Sequence, residues 1–212
     1  MVDEKLNARI RELKIVPVIK LDRASDALPL GKALRDGGLP IAEITFRTDA
    51  AEESIRALAS GMPEILVGAG TVLTIDQVKR AQHAGARFIV TPGFNPTVVD
   101  YCVKNRIPIY PGINNPMGVE AALERGLSVL KFFPSEASGG LKMIQALAGP
   151  YVGVKYIPTG GVTPANLAAY LKEPAVYAVG GTWIARADLI AAGKFDEIAK
   201  LALEAVAIAA AK

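Results

Sequence analysis

The chain carries one cysteine (Cys102), one histidine (His83) and one tryptophan (Trp183). A lone thiol cannot close an intrachain disulfide, so a reducing, cytoplasmic setting is the expectation. A zinc site built on His and Cys takes three or four such ligands. This chain cannot supply them, so no metal and no cofactor is expected. An excess of one charge sign is missing too: 24 Lys+Arg stand against 21 Asp+Glu, a net +3 scattered along the chain. Aromatics are 6% of residues and no basic block is interleaved with them, which speaks against nucleic-acid binding. No apolar run approaches the ~20 residues that span a bilayer, so no membrane partner is expected. Residues 1–6 mix charges without an apolar core, unlike a signal peptide. What is present, 212 residues at 51% hydrophobic and 21% charged, suffices for one sizeable core. With no linker or composition break, 1–212 reads as a single domain.

One unit recurs along that domain: a short apolar strand, a turn, an amphipathic helix, a glycine. After an opening helix over 3–13, strands are expected at Ile15–Ile19, 41–46, 65–72, 88–91, 107–110, 129–133, 156–159 and 177–182. Helices are expected between them, among them 25–35 with Ser25 as N-cap and Gly37-Gly38 as stop, 76–84 and 118–125. A last helix covers 195–210. Roughly eight βα units imply a (β/α)8 TIM barrel of parallel strands with an additional N-terminal helix. A doubly wound open sheet is the rival. Its fingerprint is missing, because Gly68-Ala69-Gly70 lacks the third glycine, and no Walker-type Gly-Lys-Ser/Thr occurs.

Barrel sites lie where the strands end, and several strand ends here are polar. In Val129-Leu130-Lys131-Phe132-Phe133-Pro134, alternation sends Lys131 the way of Val129 and Phe133, and Leu130 and Phe132 the other way. Both faces are apolar, as in a strand buried on both sides. Desolvation favours a neutral amine, the form that attacks a ketone to make a Schiff base. A lysine snorkelling to water or paired with a buried acid is the plainer alternative. In the second strand, Glu43, Thr45 and Arg47 share the face opposite Ile44 and Phe46, and three polar residues are expected to face the barrel interior. The second and sixth strands can contribute to one layer of that interior. Glu43 and Lys131 then make either a nucleophile with its proton shuttle or a buried structural ion pair. Thr71 and Thr159 close the third and seventh strands and point inward if alternation holds. Thr159-Gly160-Gly161 and Gly180-Gly181-Thr182 could bring backbone N–H groups to an anion. His83 and Lys20 read as surface residues, and Cys102 and Trp183 as packing.

Taken in order, Ala42-Glu43-Ile44-Thr45-Phe46-Arg47-Thr48, Val67-Gly68-Ala69-Gly70-Thr71-Val72, Thr91-Pro92-Gly93, Lys131-Phe132-Phe133-Pro134, Pro158-Thr159-Gly160-Gly161 and Gly180-Gly181-Thr182-Trp183 resemble a known family. It is that of the bacterial 2-dehydro-3-deoxy-phosphogluconate / 4-hydroxy-2-oxoglutarate aldolases, and the resemblance runs from Ile15 to the final helix. It implies a class I aldolase, usually a homotrimer, that splits a phosphorylated keto acid, 2-dehydro-3-deoxy-6-phosphogluconate, into pyruvate and glyceraldehyde 3-phosphate, as in the Entner–Doudoroff route. By position it implies that Lys131 forms the Schiff base and Glu43 is the general acid/base. Arg47 and Thr71 would hold the pyruvate carboxylate, with Phe133 beside the imine and Pro92 walling the pocket. Thr159 would contact the hydroxyl end, and Gly160, Gly161 and Thr182 would bind phosphate. The chain departs from the family pattern at Ser135 (commonly alanine), at Thr182 (commonly serine) and in the Asn114-Asn115 loop, which bears on substrate range. Rival functions are an aldolase for the 6-phosphogalactonate epimer or for hydroxy-oxoglutarate, a phosphate-binding isomerase with Glu43 as base, and a non-catalytic sugar-phosphate-binding barrel.

Overall fold

The computed structural model describes residues 4–211, so the Met1–Asp3 part of the opening segment lies outside the described residues. The strands are β1 (Ile15–Ile19), β2 (Ile41–Thr45), β3 (Leu66–Gly70), β4 (Ile89–Val90), β5 (Ile109–Tyr110), β6 (Gly112–Ile113), β7 (Val129–Phe132), β8 (Lys155–Pro158) and β9 (Val179–Gly181). The helices are α1 (Glu4–Leu13), α2 (Ala27–Asp36), α3 (Ala51–Gly61), α4 (Ile75–His83), α5 (Pro96–Lys104), α6 (Pro116–Leu123), α7 (Gly140–Ala148), α8 (Pro164–Lys172), α9 (Ala187–Ala191) and α10 (Phe195–Ala210). The result is a parallel α/β fold. One sheet runs β5-β4-β3-β2-β1-β9 and a second β6-β7-β8, every pairing parallel. The sheets adjoin at both edges. Only Pro111 separates β5 from β6, and bridges Tyr156↔Val176 and Thr159↔Gly180 link the β8 strand to the chain around β9.

Strand alternation sorts the core into two clusters. Ile15, Ile19, Ala42, Ile44, Val67, Ala69, Leu130, Phe132 and Tyr156 pack with the helices. Val16, Ile41, Phe88, Val90, Tyr110 and Ile157 pack with each other and with Leu6 and Ile10 of α1. The first helix therefore lies over the end where the strands begin, and Tyr177 fastens it by donating to the Asn7 carbonyl at 2.8 Å. Both faces of the strands being buried explains why they read as continuous apolar runs.

Four local expectations change. The expected fifth strand does not stop at Tyr110. It resumes after Pro111, whose missing N–H interrupts the ladder while its carbonyl still accepts from Lys131 N at 3.0 Å. The helix expected from Gly118 begins two residues earlier, because the Asn115 side chain accepts from Gly118 N at 3.0 Å and Pro116 suits the first turn. Ser25 is not an N-cap: it lies in a 3-10 turn, Ala24–Asp26, that precedes α2. The third strand ends at Gly70, and Thr71 takes the left-handed region at φ +54°, so alternation does not extend to it.

Candidate active site

Lys131 and Glu43 meet. Lys131 Nζ donates to Glu43 Oε1 at 3.1 Å, with the two side chains 6% and 4% exposed. Beneath them is a small cavity walled by Ile10, Val16, Phe88, Val90, Tyr110 and Ile157. Taking two charges out of water costs several kcal/mol per ion before their attraction returns any of it. Replacing a buried ion pair by apolar residues of the same volume is often neutral or stabilising, so the pair is weak evidence for a stabilising role.

Neighbouring backbones leave room for the pair. A Cβ added to Gly70 would stand 2.1 Å from Glu43 Oε1, and one on Gly68 would stand 2.2 Å from the Phe88 ring. The interior positions of β3 are thus emptied so that the Glu43 carboxylate and the Phe88 ring can enter. A glycine inside a strand signals close approach, and that signal in the sequence could have marked Gly70. Thr45, also buried, donates to the Ile19 carbonyl at 2.8 Å and accepts from Arg47 Nε at 3.0 Å. Arg47 lies beyond the end of β2 and is exposed, so it reaches Thr45 through its guanidinium rather than standing as a third interior strand residue.

Phe133 connects the pair to the rest of the strand ends. Its ring centroid is 5.5 Å from Lys131 Nζ, and it packs beside Gly160, where a Cβ would lie 3.4 Å from the ring. With Pro92, Gly93, Ile113 and Asn114 it lines a groove. Thr159 is 3% exposed and sits against Gly180, whose Cβ would fall 2.1 Å from Thr159 Oγ1. Gly160 and Gly161 have φ of +95° and +86°, a turn that L side chains rarely adopt. Gly180 and Gly181 are the last residues of β9, and they leave space for Thr159 and for the Trp183 ring. Thr71 is half-buried after β3 and Thr182 exposed after β9. Neither touches the pair by a side-chain hydrogen bond.

Other residues fall as read. His83 is exposed at the end of α4, and Lys20 pairs with Asp22 at 2.7 Å. Cys102 is fully buried in α5, where burial pushes the thiol up to about 12, the mark of an inert thiol. Among the described residues no group of three or more His, Cys, Asp or Glu could hold a metal ion, and no helix is long and apolar enough to cross a membrane. Thr91, quoted within the Thr91-Pro92-Gly93 motif but given no role from sequence, is 1% exposed. It accepts from Gly112 N at 3.3 Å and donates to the Gly93 carbonyl at 2.7 Å, so it holds the Pro92 segment.

A family model described as KDPG and KHG aldolase matches residues 6–201. A 2-dehydro-3-deoxy-phosphogluconate aldolase of Haemophilus influenzae is 50% identical over 205 residues, 97% of either chain. The KDPG aldolase of Legionella pneumophila, with pyruvate captured as a covalent carbinolamine, superposes with a TM-score of 0.90 at 36% identity, covering 93% of this chain and 96% of that one. The 2-keto-3-deoxy-6-phosphogluconate aldolase of Zymomonas mobilis, with 3-phosphoglycerate, gives 0.89 at 35% identity, over 97% and 96%. With a buried lysine–glutamate pair at its strand interior and these likenesses over nearly its whole length, the chain belongs to the KDPG and KHG aldolase family.

Proposed function

We propose that this chain is a class I aldolase that reversibly cleaves 2-dehydro-3-deoxy-6-phosphogluconate to pyruvate and D-glyceraldehyde 3-phosphate, and also 4-hydroxy-2-oxoglutarate to pyruvate and glyoxylate. The observation that carries it is the buried Lys131 Nζ–Glu43 Oε1 contact of 3.1 Å beside a cavity with apolar walls. Across that distance a proton passes to Glu43, which frees the lone pair of the amine. Lys131 Nζ adds to the C2 carbonyl, and the carbinolamine loses water, with Glu43 relaying protons, to leave an iminium. Glu43 then takes the C4 hydroxyl proton. The C3–C4 bond breaks, its electron pair passes to C3 and the iminium as an enamine, and the aldehyde leaves. Protonation of C3 and addition of water at C2 release pyruvate and restore the amine.

The other residues bind and orient. Arg47 and Thr71 hold the pyruvate carboxylate, Arg as a two-pronged donor. Phe133 packs beside the imine and Pro92 walls the pocket. Thr159 meets the hydroxyl end of the substrate, and the Gly160 and Gly161 N–H groups with the Thr182 hydroxyl receive the phosphate.

The same reading takes residues 1–212 as one domain, and β5 with β6 as one stave broken at Pro111. The nine strand segments are then eight staves of a closed (β/α)8 barrel with α1 as an additional helix, which the adjoining sheet edges support. It also takes the enzyme to be a cytoplasmic, metal-independent homotrimer. Incubation with pyruvate and borohydride, followed by mass measurement and peptide mapping, tests the proposal. A reduced pyruvate adduct on Lys131 is expected, with activity retained after EDTA. A folded protein that gains no adduct is not a class I aldolase.

A further inference from the structure

The Gly160–Gly161 turn is held from beneath by a side-chain cluster the mechanism does not use. Tyr170 of α8 is 2% exposed. Its hydroxyl lies 3.0 Å from Ser135 Oγ and is hydrogen-bonded to Glu136 Oε1. An ionised carboxylate has no proton to give, so Tyr170 donates to Glu136 and accepts from Ser135, which is itself fully buried. The backbone of the same two residues is tied to the turn: Ser135 N donates to the Thr159 carbonyl at 2.8 Å and Glu136 N to the Gly160 carbonyl at 3.0 Å.

The path of the Glu136 side chain follows from its glycine neighbours. A Cβ on Gly161 would stand 2.5 Å from Glu136 Cγ, and one on Gly140 would stand 3.0 Å from Glu136 Oε1 and 3.1 Å from the Tyr170 hydroxyl. The Glu136 methylenes thus underlie Gly161, while the carboxylate is drawn past it toward Gly140. Glu136 is otherwise exposed, and no other side chain among those described is hydrogen-bonded to its carboxylate. Released, that anion would be free to swing toward a phosphate at the Gly161 N–H, where like charges repel.

We propose that Tyr170, supported by Ser135, is a positioning residue for phosphate recognition: it holds the Glu136 carboxylate away from the Gly160–Gly161 turn and keeps that turn shaped to receive a dianion. This rests on the aldolase reading and adds to it how the chain accommodates a carboxylate beside its own anion site. Burial, and then the bond to Glu136, push the Tyr170 hydroxyl up to about 12, so the donor keeps its proton through the neutral range.

The test compares a phosphate-dependent with a phosphate-free readout. Tyr170→Phe keeps the ring and removes both hydrogen bonds. It should raise KM for the phosphorylated keto acid roughly tenfold, and weaken inorganic phosphate binding in calorimetry by a similar factor. Solvent exchange of the pyruvate methyl protons, which involves no phosphate, should stay within about twofold of wild type. Adding Glu136→Gln to Tyr170→Phe should restore most of the phosphate affinity, because the repelling charge is gone. Exchange slowed in step with KM, phosphate affinity unmoved by Tyr170→Phe, or no rescue by Glu136→Gln would each overturn the proposal. If Tyr170→Phe does not fold, Glu136→Gln alone decides: it keeps an acceptor for Tyr170, so weakened phosphate binding would count against the proposal and unchanged or tighter binding for it. Wild-type protein that exchanges no pyruvate protons yet binds phosphate would refute the aldolase reading and leave the turn intact.

Discussion

Gly70 and the Glu43 carboxylate claim the same volume: a Cβ on Gly70 would lie 2.1 Å from Glu43 Oε1 and 2.6 Å from Glu43 Cγ. Gly70 pairs with Thr45 across the ladder, so it is part of a rigid strand and cannot retreat. Gly70→Ala should therefore push the carboxylate off Lys131 while adding only one methyl to the core. General acid–base catalysis typically contributes 10²–10⁴-fold, so kcat is expected to fall by about 10² or more. Steady-state kinetics on the folded variant, judged by circular dichroism, checks this. A Gly70→Ala protein with wild-type turnover would mean that Glu43 is not the proton carrier.

Lys131 and Glu43 make different demands on mutants. Lys131→Arg keeps a charge, but guanidinium stays protonated and forms no imine. Both turnover and borohydride trapping with pyruvate should disappear. Glu43→Gln keeps size and polarity and removes the acid/base. Slow trapping should survive, while turnover and pyruvate proton exchange fall by roughly 10²–10⁴-fold. A structural ion pair would behave otherwise: either change would cost about 3–5 kcal/mol of stability, and whatever folded would still turn over.

Thr182 is exposed after β9, free to offer its hydroxyl to an incoming phosphate. Thr182→Val keeps the shape and removes that hydroxyl. A hydrogen bond to a charged group is worth about 1.5–3 kcal/mol, so KM for the phosphorylated substrate should rise roughly tenfold or more, and KM for hydroxy-oxoglutarate much less. Equal changes in both would place the phosphate elsewhere.

Alkaline pH should unfold this protein through three buried groups. Burial pushes Cys102 up to about 12. Burial, then the neighbouring Tyr151, take Tyr156 to about 12, and Tyr170 is at about 12 as well. In the unfolded chain a thiol ionises near about 8.5 and a tyrosine near about 10. Above about pH 9 the unfolded state therefore binds fewer protons than the native state, and stability falls as pH rises, by up to about 1.4 kcal/mol per pH unit for each group. Melting temperatures measured from neutral pH upward should drop steeply above about pH 9–10. Tyr156 offers a control, since its buried hydroxyl has no hydrogen-bond partner among the described residues. Tyr156→Phe should be neutral or stabilising at about pH 7 and should flatten the alkaline loss. Destabilisation by Tyr156→Phe would indicate a partner for that hydroxyl.

Which face of a strand each residue occupies is legible from the residues alone. Period-2 alternation sets Lys131 opposite Leu130 and Phe132, and sets Glu43 with Thr45 opposite Ile44, because the alternation of side chains along a strand is local geometry. The last helix, Phe195–Ala210, and the stop of α2 at Gly37-Gly38 were legible for the same reason: helix periodicity and glycine chemistry act within a few residues. Helix α6 starts not at Gly118 but at Pro116, a start that the Asn115-Pro116 capping signal encodes locally. Contacts across the chain were decided only by the tertiary structure. Glu43 and Lys131 are 88 positions apart, and their 3.1 Å contact exists only because the curled sheets bring their two strands face to face. The left-handed turn at Thr71, the continuation of the fifth strand past Pro111, the fit of Gly70 to Glu43 and of Gly180 to Thr159, and the reach of Tyr170 to Ser135 and Glu136 all depend on what a distant segment places beside each residue. No periodicity encodes that, because the volume open to a side chain is set by its spatial neighbours and not by its chain neighbours.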